Sequence, residues 1–518
     1  MTATDLFPRD TTGLPSVERT TLHRLRGGDR LALEIAPVVK NIGGSNIRMI
    51  AYNGSIPGPT LHVDQGSEII VDVTNNGDVE TTVHWHGLRL DNRFDGVPID
   101  TQAPIEIGGV FSYQIKFPDP GFYWYHPHLR EDYGQEMGMY GTIIVEPADP
   151  SYWPRVDRQL SITLDDLLIE DGMIAPFSRS GPTFTAMGRF GNVLLVNGEE
   201  RLEARVALGE VVRLHLVNTA NTRIFNIAIP DARMKLVGGD SGRYQRETFV
   251  EEVLLAPSER AIIDVQFDRA GVARLEHWTP DRTYDLGAIN VVPASRAFAA
   301  LRVDSELTTI AANLDTDRDR APDKTLAFRS TMPLLYADDP APASSFACPM
   351  HPEVTSSEPS RCPKCGMKLT PVATAVMAGY ACPMHPDVTG NGPTECPKCG
   401  MWLEPIAEPI VESPSHGAGH DHLEGDGLEW EDLMPETNLQ TNPSNMIWCL
   451  TDLETGAENH HIFWTFAVGD RIKIRLVNEL ESDHPMHHPF HIHGAGRFLI
   501  LARAARAAPE PTRPATRQ

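Results

Sequence analysis

The sequence has no long hydrophobic run and no excess of basic residues. No stretch approaches the roughly 20 apolar residues of a membrane-spanning helix, so no membrane span is expected. Acidic residues outnumber basic ones by 70 to 45, and the formal net charge of -25 disfavours nucleic acid as a partner and favours cations. Residues 1–5 offer neither a basic segment nor an apolar core. The sequence as given therefore shows no secretion signal, and a cytoplasmic location is the literal expectation.

Long helical periodicity is also absent. Short apolar runs such as residues 68–73 and 141–145 are separated by Gly, Pro, Asn and Asp, which is the pattern of β-strands joined by turns. Three phrases resemble one another, at residues 69–75, 211–218 and 471–478, and each follows a Gly and ends at an Asn. This repetition predicts an all-β protein built from copies of one unit.

A length of 518 residues corresponds to about three or four domains, and the repeated phrases favour three β domains. We predict the first over residues 20–150, the second over 155–295, and the third over 298–336 and 429–501. The segment that interrupts the third is rich in Pro, Ser and Gly. Its composition indicates small metal-binding modules on flexible linkers rather than a large core.

Cysteine is scarce, and six of the seven cysteines lie in that interruption in two copies of one spacing. Thirteen residues separate the first two cysteines of each copy, and two separate the second from the third, which favours metal binding over disulfides. We predict modules over residues 346–371 and 380–406. Their soft and borderline ligands suit cuprous copper, silver or zinc, and a structural zinc knuckle is the open alternative. The candidate ligands are Cys348, His351, Cys362 and Cys365 in the first copy, and Cys382, His385, Cys396 and Cys399 in the second.

Three histidine motifs are further candidates for metal binding. Alternate residues of a strand share a face, so each His-x-His pair presents two imidazoles to one metal site or to two adjacent ones. Imidazole is a good ligand for copper. A single pair is explained equally well by a solvated strand face or a structural zinc site, whereas three pairs could enclose a cluster of coppers. The candidate copper ligands are His84, His86, His126, His128, His488, His491 and His493.

In this order, and with their flanking Trp, Pro and Gly residues, the motifs resemble three of the four copper-binding motifs of the multicopper oxidases, the laccase and cuprous oxidase family. The resemblance implies three cupredoxin-like Greek-key β-barrels, of which the third is interrupted by the modules. It implies one-electron oxidation of cuprous ions or phenolic donors, coupled to four-electron reduction of dioxygen to water, in copper homeostasis or tolerance. Pro127 stands where copper nitrite reductases carry a Cys, which favours the laccase-like interpretation.

The resemblance also implies roles for single residues. His84 and His491 would bind the type 2 copper, and His488 would bind the type 1 copper. The type 3 pair would be held by His86, His126, His128 and His493. The cysteine repeats resemble the heavy-metal-binding domain of copper-transporting ATPases and metal-efflux proteins, so copper-efflux components are candidate partners. Many family members are periplasmic or secreted.

The fourth motif of the family, His-Cys-His, does not follow His493. The type 1 site is therefore expected to be incomplete and the third barrel to lack its last strands. Residues 502–518, mostly Ala, Arg and Pro, form an aberrant tail that we attribute to a reading-frame shift near Ala502. We interpret Cys449 as a buried structural residue, and His484 and His487 as supporting or solvent-facing residues. The alternative to a multicopper oxidase is a non-enzymatic copper-binding or storage protein.

Overall fold

The structure of the chain is a computed structural model that describes residues 6–302, 320–336, 345–372, 380–382, 385–390, 398, 404–405, 428–479, 482–495 and 498–500. Nearly all regular structure in these residues is β, which confirms the predicted fold class. The described helices are short, and α1 (Glu131–Gly134) and α2 (Pro435–Gln440) are the α-helical ones. No helix in the described part of the chain is long and apolar enough to cross a membrane.

The first group of strands forms two sheets around one core. Their orders are β1-β4-β9-β8-β6 and β3-β2-β5-β7. In the first half of β2 the buried Leu31, Leu33 and Ile35 alternate with the exposed Arg30, Ala32 and Glu34. The strands are β1 (Leu22–Leu25), β2 (Arg30–Ile42), β3 (Ser45–Tyr52), β4 (Thr60–Asp64), β5 (Glu68–Asn75), β6 (Val83–His86), β7 (Val110–Lys116), β8 (Gly121–Pro127) and β9 (Gly141–Glu146).

The second group repeats this arrangement. A six-stranded sheet of order β13-β10-β15-β20-β17-β18 packs against a five-stranded sheet of order β14-β22-β21-β16-β19. The strands are β10 (Arg158–Leu167), β11 (Ile169–Glu170), β12 (Met173–Ile174), β13 (Val193–Val196), β14 (Leu202–Ala207), β15 (Val211–Asn218), β16 (Phe225–Ala228), β17 (Ala232–Gly239), β18 (Gly242–Val250), β19 (Glu252–Leu255), β20 (Arg260–Phe267), β21 (Gly271–Trp278) and β22 (Thr283–Val292).

The remaining strands form three small sheets. Their orders are β30-β23-β31, β25-β24-β26 and β28-β27-β29, and the last two lie in the cysteine-containing segment. The strands are β23 (Lys324–Thr331), β24 (Phe346–Ala347), β25 (Thr355–Ser356), β26 (Thr370–Pro371), β27 (Tyr380–Cys382), β28 (His385–Gly390), β29 (Glu404–Pro405), β30 (Ile447–Asp452) and β31 (Ile474–Asn478).

The three repeated phrases of the sequence occupy equivalent places. Each forms a strand that pairs in parallel with an earlier strand of its group: β5 with β2, β15 with β10, and β31 with β23. In the first two groups the repeated strand also pairs with a later antiparallel strand, β7 or β20. Among the described residues no such strand borders β31. Apolar side chains of this group, such as Leu476, are correspondingly exposed.

Candidate metal centre

The first two histidine motifs lie side by side on neighbouring strands. In the antiparallel pair of β6 and β8, His84 is opposite His126 and His86 is opposite Trp124. Directly opposite residues of such a pair share a face, so these side chains point the same way. Trp124 stacks on the His126 ring at 4.1 Å between centroids. The alternate residue Trp85 is fully buried on the other side, which anchors the histidine face to the core.

The third motif reaches the same place from the far end of the chain. His491 and His493 follow β31 in a segment without regular secondary structure. The His491 ring stacks on His86 at 4.0 Å, and His493 Nε2 lies 3.2 Å from His128 Nε2. His84 is central to the group. Its ring centroid lies 4.3 to 5.5 Å from those of five other histidines, namely His86, His126, His128, His491 and His493.

Asp95 orients two of these rings. Nδ1 of His84 donates to the Asp95 carbonyl oxygen at 2.7 Å, and Nδ1 of His493 lies 3.1 Å from the Asp95 carboxylate. Burial acts to raise the pKa of Asp95, but the hydrogen bonds from His493 and His84 outweigh it and hold this pKa well below its usual range. An ionised carboxylate behind an imidazole holds the ring in place and makes its other nitrogen a better metal ligand.

Several ring nitrogens face the interior of the group without a partner. Nε2 of His84, His126 and His491 are buried and make no hydrogen bond in the described part of the chain. His84 Nδ1 donates a hydrogen bond to the Asp95 backbone carbonyl, and His126 Nδ1 donates one to the Pro127 carbonyl. The Nε2 lone pair of each ring is therefore available. Buried polar atoms without partners are rare. Convergent imidazole lone pairs fit a divalent first-row metal, and copper has the highest affinity of that series.

The site favours neutral imidazole, the form that binds metal. Burial lowers the pKa of His84, and lowers those of His86 and His126 further, well below 6.5. Burial likewise lowers the pKa of His128 to about 4 and that of His491 to about 3. The nearby Arg260 guanidinium adds to the effect at His86. Protons therefore compete weakly with metal for these ligands.

His488 stands apart from this group. Its ring stacks on Phe328 at 4.7 Å and meets the edge of Trp448 at 5.0 Å, and burial lowers its pKa to about 4. Cys449 is partly exposed rather than buried, and it lies opposite Arg329 on the face of β30 that points away from Trp448. It is therefore not a neighbour of His488.

The first module brings its four candidate ligands together. Cys348, His351, Cys362 and Cys365 each offer an atom within 4.8 Å of the others. The Cys348 and Cys365 sulfurs are 3.5 Å apart, and His351 Nδ1 lies 3.5 Å from the Cys362 sulfur. A hydrogen bond from the Cys365 thiol lowers the pKa of Cys348 to about 4, so a thiolate is available at neutral pH. This set fits a tetrahedral soft metal.

The first module packs against the third strand group, whereas the flanking residues 337–344 and 373–379, which would form the predicted linkers, lie outside the described residues. Lys368 forms an ion pair with Asp483, and Arg361 donates to the Ser482 carbonyl at 2.8 Å. Cys348 and Cys362 are buried in a third hydrophobic core that includes residues of the second and third strand groups. The module therefore docks on the segment that leads to His488. Cys396, Cys399 and the side chains of Cys382 and His385 in the second module lie outside the described residues.

Several residues of these sites carry no recognisable sequence signal. Asp95 is one aspartate in a loop, Glu131 Oε1 lies 3.1 Å from His128 Nδ1, and Arg260 belongs to the second strand group. His484 is 1% exposed, so it does not face solvent, and His487 pairs with Glu429. Long-range packing brings Arg260 to the histidines, whereas Asp95 and Glu131 follow the first two histidine motifs closely in the sequence but without a characteristic spacing.

Comparison with known proteins agrees with this geometry. The family model described as "Multicopper oxidase" matches residues 37–150, and the "Heavy metal binding domain" model matches residues 346–372 and 380–406. Copper resistance protein A of Pseudomonas syringae pv. tomato is 27% identical over 303 residues, which cover 48% of this chain and 49% of that protein. Multicopper oxidase MmcO of Mycobacterium tuberculosis is 31% identical over 266 residues, covering 45% of this chain and 51% of its own.

The chain spans about half the length of the curated relatives it matches. Among solved structures, the McoA multicopper oxidase 2F4 variant from Aquifex aeolicus has a TM-score of 0.52 at 21% identity, covering 61% of this chain and 72% of that one. The laccase-like CueO of Ochrobactrum sp. has a TM-score of 0.51 at 24% identity, covering 60% and 71%. These likenesses show a cupredoxin-like fold. The chain therefore contains a multicopper oxidase domain and two heavy metal binding repeats, and its relatives include copper resistance proteins, laccases and multicopper oxidases.

Proposed function

We propose that this chain is an oxidase that takes single electrons from cuprous ions or phenolic donors and passes them to dioxygen. We assign this oxidase a role in copper tolerance. The convergence of six histidines from three separate segments, of which His84, His86 and His126 are buried, carries the proposal. Dioxygen needs four electrons to become water, and coppers held by these histidines would supply the capacity to store them. The relative named copper resistance protein A supports the link to copper.

We assign the histidines to individual copper sites from their positions in the sequence motifs and from the distances between neighbouring rings. His84 and His491 are assigned to a type 2 copper and His488 to a type 1 copper. The other four histidines fall into two neighbouring pairs, as a type 3 copper pair requires. His86 lies 5.6 Å from His126, and His128 lies 4.8 Å from His493, between ring centroids.

The protein's own residues prepare this site. Asp95 holds the rings of His84 and His493, the β6 and β8 backbone sets the spacing of the first four imidazoles, and burial keeps them unprotonated. Preorganised ligands of this kind avoid the cost of reorganisation when metal or substrate binds. The first module supplies a separate thiolate site, which we assign to cuprous copper in preference to zinc.

Oxygen consumption tests the proposal. The full chain, loaded with Cu²⁺, should consume dioxygen when a cuprous or phenolic donor is added. His86→Gln should abolish this consumption, whereas His460→Gln, at an exposed position outside the cluster, should retain it. Stoichiometric copper binding without oxygen consumption would leave the alternative, a copper-binding or storage protein.

The lack of a thiol beside His488, within the described residues, is the observation that favours this alternative. The strong blue absorption of a type 1 thiolate site provides an independent measurement. We expect it to be absent from this chain.

A further inference from the structure

Arg260 is a buried cation that joins the first two strand groups beside the histidine centre. It begins β20, and its side chain is 4% exposed. Within the second group, Nη1 donates to the Ser258 carbonyl at 3.0 Å and pairs with the Asp240 carboxylate at 2.8 Å. Nε donates to the carbonyl of Phe122, on β8 of the first group, at 3.4 Å. The guanidinium therefore lies in the seam between the two groups.

This seam brings the guanidinium against Gly87, the residue that follows His86. Gly87 has a φ of +86°, a conformation that residues other than glycine rarely adopt. A Cβ at this position would collide with Nη2 of Arg260 and would lie 3.2 Å from the Tyr123 ring. The glycine of the His-Trp-His-Gly motif thus leaves room for a cation at the end of β6, where His86 is held.

The charge of Arg260 reaches two rings of the histidine centre. His86 and His491 stack at 4.0 Å between centroids. Burial is the main cause of the low pKa of both rings, and the positive charge of Arg260 lowers each pKa further. Asp240 offsets this charge only in part, because its side chain is 25% exposed and water screens it more than the buried guanidinium. A metal ion held by these rings would meet the same positive field.

We propose that Arg260 is a positioning residue for the histidine centre, which fixes the strand end that carries His86 and places a positive charge beside copper bound there. This role rests on the proposed copper centre and gives the second strand group a part in it. Cu²⁺ carries one more charge than Cu⁺, so a neighbouring cation disfavours the oxidised ion more. Arg260 therefore raises the reduction potential of the centre and favours the uptake of electrons from a donor.

A redox titration of the Cu²⁺-loaded full chain tests this role. Mediators deliver one electron per copper without dioxygen, and the Cu²⁺ EPR signal is recorded at each potential, to which Cu⁺ on the module thiolates contributes nothing. Arg260→Gln should lower the potential, so that the ratio of Cu²⁺ to Cu⁺ at a fixed potential rises about tenfold. This is the effect of one unit charge about 10 Å away at an effective dielectric constant of about 20. Arg260→Lys keeps the charge and should follow wild type.

Asp240→Asn separates the effect of charge from a purely structural role. It removes the partner carboxylate and leaves the Arg260 cation, so the potential should rise, opposite to the change in Arg260→Gln. Loss of packing alone would shift the potential of both variants in the same direction. Asp240→Asn also provides the measurement if Arg260→Gln does not fold. Arg233→Gln is the matched control and should keep the wild-type potential, because Arg233 is 46% exposed and pairs with Asp268.

The titration distinguishes failure of this role from failure of the copper centre. A wild-type chain without a Cu²⁺ signal that depends on His86 would refute the copper centre and the role of Arg260 together. With that signal present, equal potentials in wild type, Arg260→Gln and Asp240→Asn would refute the role of Arg260 alone. Shifts of the two variants in the same direction would refute it as well, since Arg260 would then serve only to hold the two strand groups together.

Discussion

His128 and His493 are separated by 365 residues in the chain, yet their Nε2 atoms lie 3.2 Å apart. One follows β8 in the first strand group, and the other follows β31 in the third. The metal centre is therefore a product of the packing of two strand groups against each other. Changes that disturb this packing should affect metal binding even when they leave every histidine in place.

Asp95→Asn should weaken Cu²⁺ binding to the histidine centre by about 10- to 100-fold, as is typical when a partner of a metal-bound histidine is lost. The neutral amide cannot replace the carboxylate charge that lies 3.1 Å from His493 Nδ1 and 3.4 Å from His84 Nδ1, although the Asp95 backbone carbonyl that accepts from His84 remains. Asp91→Asn is the matched control, because Asp91 pairs with Arg93 on the surface. Copper affinity measured by chelator competition provides the test, and equal affinities for the two variants would contradict the role of Asp95.

Arg223→Ala should destabilise the protein by about 3 to 5 kcal/mol, because it leaves the carboxylate of Asp166 buried without its partner. The two side chains are each 1% exposed and 2.8 Å apart, and Arg223 also reaches Glu431 at 3.2 Å. Arg30→Ala breaks an ion pair whose arginine side chain is 59% exposed, and should cost about 0 to 1 kcal/mol. Urea unfolding compares the two variants, and similar shifts in midpoint would refute the prediction.

The metal-free protein should lose stability as the pH falls from about 6.5 to about 4. Burial lowers the pKa of His128 and His488 to about 4 and that of His491 to about 3, whereas these residues titrate near 6.5 when unfolded. Between these values the unfolded chain binds more protons, so acid favours unfolding.

Urea midpoints measured across this pH range check the sign of the effect. The fall should be shallower in His128→Gln than in wild type, because one group that changes its pKa on folding has been removed. His460→Gln, at an exposed position, should follow wild type. A wild-type midpoint that rises on acidification would contradict the prediction.

Cys362→Ser should abolish soft-metal binding by the first module, because a tetrahedral site loses one of its four ligands. Cys449→Ser should leave metal binding unchanged, since Cys449 lies outside that site. The thiolate charge-transfer absorption of bound Cd²⁺ reports on this site. An equal decrease in both variants would mean that the assignment of ligands is wrong.

Local sequence patterns predicted the repeated strands and the first two histidine pairs. The repeated phrases became β5, β15 and β31 because strand periodicity is a property of neighbouring residues. The pairs His84 with His86 and His126 with His128 could likewise be recognised from spacing. The contribution of Asp95 could not, because it contacts His493 across 398 residues. The docking of the first module on Ser482 and Asp483 was also missed, because linker composition says nothing about which surface a module meets.

The sequence by itself determined the all-β class, the repeated strand unit, the histidine and cysteine motifs, and through them the resemblance to multicopper oxidases. These features depend on residue type and on spacings of a few residues, where the geometry of a strand is already set. The tertiary structure decided which histidines converge, which carboxylate orients them, and that His484 is buried. Those outcomes depend on packing between distant segments, and burial there sets protonation and leaves ring nitrogens without partners.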